Sequence, residues 1–136
     1  NTYPNSKRVD ECNKLIDECR AKIEFKSFEA GKLYYDMNNY QSCVTSLKNV
    51  LNDFPETKNG REIRFLICKS AFLLAEHKKK KKQKERYLEA KQYIEDFIQR
   101  YPTGKTTSEI KDYNRKINAK LKSTDYDRYQ NTSARN

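Results

Sequence analysis

The feature that most constrains the fold is a short phrase of sequence that recurs at a fixed spacing. Each of the three prolines follows an aromatic residue, in Tyr3-Pro4, Phe54-Pro55 and Tyr101-Pro102. A fixed offset over six positions is an internal repeat, and repeats of this length are stacked helix pairs. The equivalent residues, each pair 47 positions apart, are Tyr40 and Tyr87, Cys43 and Ala90, Leu47 and Ile94, Val50 and Phe97, Phe54 and Tyr101, and Pro55 and Pro102.

The composition favours one small domain of long helices with a thin core. Of the 136 residues, 35% are hydrophobic and 35% are charged, so most of the surface is solvated. Three glycines and three prolines leave few helix breaks. No window holds the roughly 18 uncharged apolar residues of a membrane span, and no signal peptide is visible. Because residue 1 is Asn rather than Met, we expect the N-terminus to be an excision point in a longer protein.

Apolar residues at steps of three and four predict five helices, and no segment alternates with period two as a strand would. Ser6 is the expected N-cap of the first helix and Thr57 that of the third, while Asn38-Asn39 supplies the first turn. The capping-box spacing of residues 106–109 opens the fifth helix. The expected helices cover residues 6–37, with a bend near Ser27, then 40–53, 59–76, 85–100 and 106–122, and a frayed or extended polar tail follows at 123–136.

The repeat resembles the tetratricopeptide repeat, a helix-turn-helix unit of 34 residues. Small residues at Gly31 and Cys43 would let the two helices of a pair approach closely, and larger neighbours would fill the flanks. The predicted fold class is therefore all-α, a tetratricopeptide-type array of about five helices with superhelical stacking, and another helical bundle is the alternative. The repeat-defining residues are Gly31, Tyr34, Tyr40, Cys43, Leu47, Pro55, Tyr87, Ala90, Ile94, Phe97 and Pro102.

These elements predict two repeats flanked by a junction and a C-terminal helix. In chain order they are a long helix from a repeat junction into the first helix of repeat A (residues 1–37), the second helix of repeat A (38–57), repeat B with a basic insertion at 77–86 (58–104), a C-terminal helix (105–122) and a polar tail (123–136).

The chain is similar to one family in particular. Residues 3–6, 15–24, 28–35 and 40–55 resemble the junction of the third and fourth repeats in the BamD family of outer-membrane lipoproteins. The match covers residues 3–121. The segment 73–76, the basic linker after it and Arg86-Tyr87 resemble the Bacteroidetes form.

This resemblance implies a scaffold in the BAM complex, the machine that inserts β-barrel proteins into the outer membrane. The C-terminal repeats of the family dock the POTRA domains of the central barrel protein and accessory lipoproteins. The chain would then be a C-terminal portion at the periplasmic face of the outer membrane, and its N-terminal repeats and lipidated cysteine would lie upstream. Four free thiols are unusual for an oxidising periplasm.

Basic residues concentrate in one segment. The net charge is +10; within residues 77–86, six lysines and Arg86 against Glu85 give +6, which leaves +4 for the remainder. These like charges repel, so we expect a mobile loop or a frayed helix start. A solvated linker, contact with an acidic partner or anionic lipid, and nucleic-acid binding without a recognition motif all stay open. The candidate contact residues are Lys78, Lys79, Lys80, Lys81, Lys82, Lys84 and Arg86.

No pattern in the sequence indicates an enzyme, a cofactor site or a metal site. Three scattered glycines form no phosphate loop, and the single histidine, His77, lies beside the lysines. Cys12 and Cys19 are seven residues apart, so on a helix they would be roughly 10 Å apart, too far for a disulfide. We interpret both, with Cys43 and Cys68, as small core residues.

Three hypotheses for function follow. The first is a non-enzymatic docking subunit of the outer-membrane assembly machine. The second is a general tetratricopeptide adaptor that captures an extended peptide in a concave groove. The third, a basic nucleic-acid binder, would show steep salt dependence, and we expect no such partner. We also expect self-association through the N-terminal face, where a preceding repeat would stack.

Overall fold

The structure is a computed structural model that describes the backbone of residues 4–133 and the side chains of residues 6–79 and 81–123. Within these residues the chain is an all-α helical repeat array with five helices and no strand, which confirms the predicted class. The helices are α1 (Pro4–Asp36), α2 (Tyr40–Asp53), α3 (Gly60–His77), α4 (Lys80–Arg100) and α5 (Lys105–Ser133).

Helix α2 has the predicted bounds, whereas the other helices differ at their ends. Helix α1 includes Pro4, so Ser6 lies inside the helix and the prediction that it is the N-cap is wrong. Helix α5 continues to Ser133 through most of the segment expected to be a frayed tail. Neither glycine nor proline follows Gly104, so no residue there breaks the helix. Residues 134–136 lie outside the described part of the chain.

Consecutive helices pack against each other along the array, and α3 also packs against α5. Residues at equivalent positions of α2 and α4 form the core: Cys43 and Ala90, and Leu47 and Ile94, are all fully buried. The offset also extends beyond the aligned segment, because Ile63 of α3 and its counterpart 47 residues later, Ile110 of α5, are both fully buried. The repeat is thus a repeat of packing environment as well as of sequence.

Helices α1 and α2 approach closely where Gly31 meets Leu47. A Cβ atom added to Gly31 would overlap the Leu47 side chain and would stand 2.7 Å from its Cγ atom, so only glycine allows this contact. One turn earlier on α2, the Ser70 hydroxyl of α3 lies 3.2 Å from the Cys43 sulfur. Small residues therefore lie where α2 contacts its neighbours: Gly31 at the contact with α1, as expected, and Cys43 beside Ser70 of α3.

The turn between α1 and α2 is closed by two asparagines, as predicted. Asn38 adopts a left-handed conformation with φ of 60°, which Asn tolerates better than most residues. The N–H groups of Asn38 and Asn39 donate to the carbonyls of Tyr35 (3.0 Å) and Tyr34 (2.9 Å), the pattern of a Schellman motif. The Asn39 side chain then accepts from the Ser42 N–H at 3.3 Å and caps α2.

Helices α2 and α4 end in the same way, each before a proline. The N–H of Phe54 donates to the Val50 carbonyl and that of Tyr101 donates to the Phe97 carbonyl, both at 2.8 Å. The two aromatic residues have φ angles of −129° and −128°. We call Phe54-Pro55 the first joint and Tyr101-Pro102 the second joint.

An arginine from the preceding helix crosses each joint. Arg20 of α1 places its guanidinium carbon 4.7 Å from the ring centre of the first joint and donates to the Asp53 carbonyl at 2.6 Å. Arg61 of α3 places its guanidinium carbon 5.2 Å from the ring of the second joint and donates to the Thr103 carbonyl at 2.7 Å. Because the two arginines are 41 rather than 47 residues apart, the sequence offset does not reveal them.

Two threonine hydroxyls, that of Thr57, the predicted cap of α3, and that of Thr107, in the second position of the predicted capping box at 106–109, bond outside their own helix. The Thr57 hydroxyl donates to Glu24 of α1, and α3 begins without a side-chain cap. The Thr107 hydroxyl, in the predicted capping box of α5, donates to the carbonyls of Tyr101 at 2.7 Å and Thr103 at 3.2 Å. Thr57 therefore ties the α2–α3 connection to α1, and Thr107 ties α5 to the connection that precedes it.

Candidate partner-docking surfaces

The N-terminal half of α1 presents an uncovered apolar face. Helix α1 has 33 residues and α2 has 14, so their lengths are roughly 50 and 21 Å at about 1.5 Å per residue. The shorter helix therefore covers only the C-terminal part of α1. The open face of α1, as we call it, consists of Val9, Cys12, Leu15, Ile16, Cys19 and Ile23, all exposed.

This exposure corrects the prediction that Cys12 and Cys19 are small core residues. Ile16 has 60% and Ile23 has 58% of its surface exposed, and Cys12 and Cys19 are exposed rather than small core residues. The apolar stripe continues through Leu33 and Met37, which are 58% and 63% exposed, whereas α1 packs on α2 with a different side that includes the buried Gly31. A shallow groove runs along this face between Ile16 and Phe54 of the first joint, and Arg20 is its one charged lining residue.

Most of the repeat-defining residues occupy the helix contacts. Gly31, Cys43, Leu47, Tyr87, Ala90, Ile94 and Phe97 are buried, Tyr40 is half-buried, and the prolines of both joints are exposed. Tyr34, predicted to fill the aromatic position of the first helix, is 37% exposed. Its neighbour Tyr35 packs against Tyr40 instead, with ring centres 5.7 Å apart.

The lysine segment forms the start of a helix rather than a long loop. Only Lys78 and Lys79 separate α3 from α4, because α4 begins at Lys80, five residues before the predicted start at residue 85. Lys79 occupies the N-cap position without a side-chain cap hydrogen bond. The side chains of Lys81 and Lys82 are exposed, Lys84 is half-buried, and the Lys80 side chain lies outside the described residues.

This lysine cluster opposes the electrostatics of its own helix. A helix N-terminus carries roughly half a positive charge from its unpaired N–H groups, and the first turn of α4 contains no acidic residue. A negatively charged surface at this point would therefore meet both the ammonium groups and the helix end. Arg86, the last of the candidate contact residues, does not belong to this lysine cluster. It pairs with Glu89 at 3.0 Å and lines a cleft beside α2.

That cleft runs between α2 and α4, with α3 as its floor. It consists of two adjoining hollows of about 270 and 280 Å³, which share Lys48, Asn52 and Tyr93. The Lys48 ammonium lies 5.4 Å from the centre of the Tyr93 ring, a cation–π contact across the cleft. Sequence reasoning missed this α2–α4 cleft, because its lining combines exposed positions of three helices that share no motif.

The buried thiols are held in their neutral form. Burial raises the pKa of Cys43, and burial raises the pKa of Cys68 strongly, with nearby Asp96 adding to the effect. A raised pKa suppresses the thiolate, which is the nucleophilic and metal-binding form. The described residues contain no group of three or more Cys, His, Asp or Glu side chains placed to hold a metal ion.

Comparison with known proteins assigns no family: no protein-family model matches the chain, and no curated protein matches it. Among the described residues, none of the helices combines the length and the apolar character needed to cross a bilayer. The surfaces described above are the open face of α1, the lysine-rich start of α4 and the α2–α4 cleft. The first offers apolar contacts, the second offers positive charge, and the third offers both apolar and polar groups to a polypeptide.

Proposed function

We propose that this chain is a non-enzymatic docking scaffold of the outer-membrane β-barrel assembly machine, and that its helix pairs are of the tetratricopeptide type. The identity of the machine comes from the resemblance of residues 3–121 to the BamD family. In this proposal the chain acts at the periplasmic face of the outer membrane, with its lipid anchor upstream. It binds the POTRA domains of the central barrel protein and accessory lipoproteins, and it has no nucleic-acid partner and no cofactor.

The open face of α1 is the observation that carries the scaffold role. Soluble proteins rarely leave a large contiguous apolar patch exposed unless another molecule covers it. Four large aliphatic side chains, Val9, Leu15, Ile16 and Ile23, are each more than half exposed there. Burial of each contributes about 1.5–3 kcal/mol when complete, so the face provides a substantial part of the free energy of a specific complex.

The test is binding of the chain to the purified POTRA domains of the central barrel protein from the same organism, at low and at high salt. We expect saturable binding that weakens when Ile16 and Ile23 are both replaced by Glu. Phe25→Glu is the matched control, because Phe25 is 64% exposed but lies on the other side of α1 at 3.6 residues per turn. Loss of binding at high salt alone would assign the contact to the lysine-rich start of α4.

Absence of binding in both buffers would contradict the assignment to this machine. A general adaptor that binds an extended peptide would then be the better proposal, and the α2–α4 cleft is the observation that favours it. Equal loss of binding in the Ile16/Ile23 variant and the Phe25 variant would instead contradict the role given to the open face.

A further inference from the structure

The α2–α4 cleft has an apolar floor and a polar rim. Val44, Ala71 and Ile67 form part of the floor, and each has less than a tenth of its surface exposed. Polar and charged side chains of α2 and α4 stand on the two sides. A segment bound here therefore meets apolar surface below and polar groups at its edges.

The charges that line the cleft do not balance. Four cations, Lys48, Arg64, Arg86 and Arg100, face two anions, Glu89 and Asp96, which leaves an excess of two positive charges. Both anions are already paired within α4: Arg86 lies 3.0 Å from Glu89 and Arg100 lies 3.1 Å from Asp96. The positive charge left over belongs to Lys48 and Arg64.

Neither of these two cations forms an ion pair with a carboxylate within the described residues. The Lys48 ammonium rests over the Tyr93 ring, and Arg64 donates to the Tyr101 hydroxyl at 3.2 Å. A ring face and a neutral hydroxyl leave the full positive charge uncompensated. The middle of the cleft therefore favours an anionic group.

Three side-chain amides line the α2 side of the cleft. Gln41, Asn49 and Asn52 all contact it, and their amides make no hydrogen bond to any other described residue. Each amide both donates and accepts, as a peptide group does. From residue 41 to 52 the helix rises roughly 16 Å, which matches about five residues of an extended chain at about 3.3 Å each.

We propose that the α2–α4 cleft binds an extended polypeptide segment in which apolar and acidic side chains alternate. In an extended chain successive side chains point to opposite sides. One set then lies on the apolar floor while the acidic set reaches Lys48 and Arg64, and the amides of α2 pair with the backbone of the segment. This inference does not depend on the assembly machine, because it concerns a surface separate from the open face of α1.

The probe is a fluorescein-labelled hexapeptide of alternating Val and Asp with an amidated C-terminus, and the measurement is fluorescence anisotropy with the full chain. We expect saturable binding that Lys48→Glu weakens about tenfold or more, since it replaces attraction by repulsion at the centre of the cleft. Asn52→Asp, which adds a negative charge with little change of shape, should also weaken binding. Circular dichroism of both variants shows whether the helices are intact.

Lys81→Glu is the matched control, because it makes the same change of charge at the start of α4, outside the cleft. It should leave the affinity within about twofold, because Lys81 is exposed, does not line the cleft and carries a charge that solvent and salt screen. A hexapeptide of alternating Val and Asn tests the need for acidic groups and should bind about tenfold more weakly or worse. Absence of saturable binding, or equal effects of Lys48→Glu and Lys81→Glu, would overturn the proposal.

Failure here is distinguishable from failure of the proposed function. Peptide binding without POTRA binding would support the cleft and reject the assignment to the machine. POTRA binding that depends on Ile16 and Ile23, with no peptide binding, would support the assignment to the machine and reject the peptide-binding role of the cleft.

Discussion

At the scale of single residues, the contact between α1 and α2 depends on the missing side chain of Gly31. The Leu47 side chain occupies the space where a Cβ of residue 31 would lie, and both residues are buried. Interiors are packed closely enough that one added methyl group forces neighbouring atoms to shift. The sequence predicted the small residue at Gly31, but not which side chain would fill the space.

We expect Gly31→Ala to destabilise the fold by about 1–3 kcal/mol, because Leu47 must leave its position in a filled core. Equilibrium urea unfolding measures this change. Gly60→Ala is the control: its Cβ would meet the flexible end of Arg64, 2.7 Å away, which can move into solvent. The gain in helix propensity would then leave stability unchanged or slightly higher. An equally stable Gly31→Ala protein would contradict the packing described.

The four cysteines fall into two environments, and their reactivity should show it. Cys12 and Cys19 are exposed, while Cys43 and Cys68 are buried with raised pKa values. We expect two thiols to react with a thiol-specific reagent within minutes at pH 8 and the other two only as fast as the protein opens. Mass mapping of the labelled residues makes the assignment. Simultaneous labelling of all four in the native state would refute it.

At the scale of elements, the helices divide into those whose apolar face is covered and α1, whose face is not. Spacing of apolar residues reports which side of a helix avoids water. It does not report whether the chain supplies the partner. The sequence therefore predicted the core correctly at Leu47 and Ile94, which are fully buried, but wrongly at Cys12 and Cys19 of α1, which are exposed. The α2–α4 cleft was missed for a related reason, because it depends on how three helices meet.

In the absence of another partner, we expect copies of the chain to associate through the open face of α1. Sedimentation equilibrium should give an average mass that rises with concentration, because association buries the exposed aliphatic side chains. Ile16→Glu together with Ile23→Glu should lower the association, whereas Phe25→Glu should not. A single monomer mass at the highest concentration would contradict this prediction.

At the start of α4, the positive lysine side chains lie at the positive end of the helix dipole. Lysines replace the acidic residues that usually stabilise a first turn. We expect Lys81→Glu with Lys82→Glu to raise the stability of the protein by about 1 kcal/mol, since each favourable charge near a helix N-terminus contributes about 0.3–1 kcal/mol. Thermal unfolding at low salt measures it.

Lys26→Glu is the control for the charge change, because it lies in the interior of α1, far from a helix end. It should leave the melting temperature nearly unchanged. A stabilisation that persists undiminished at about 1 M salt, where the Debye length is only about 3 Å, would show that the effect is not electrostatic.

At the scale of the whole molecule, a continuous series of contacts runs from α1 to α5, and its stability depends on protons bound to buried groups. Burial raises the pKa of Cys68, and burial with the neighbouring Glu109 raises that of Tyr113. Burial likewise raises the pKa of Tyr87. Each of these groups keeps its proton in the folded state at pH values where the unfolded chain releases it.

Stability should therefore be greatest below pH 9 and fall as the pH rises further. Above the ordinary thiol pKa of 9.0 the unfolded state binds fewer protons than the native state, so the free energy of unfolding decreases with pH. For Cys68 alone the slope is about 1.4 kcal/mol per pH unit. Urea midpoints at pH 7, 9 and 10.5 measure it. Cys68→Ala should flatten the dependence and Cys12→Ser should not; an unchanged slope in Cys68→Ala would contradict the assignment.

The two equivalent joints would allow the protein to be lengthened by whole repeats of 47 residues. Residues 58–104 comprise 47 positions, from before Arg61 to just past the second joint. A tandem duplication of this block would supply its own arginine for its own proline turn. Its first helix would meet α4 as α5 now does, because Ile63 and Ile110 are equivalent and equally buried. One duplication event would therefore add one helix pair to the array. Neither the open face of α1 nor the final helix would have to change.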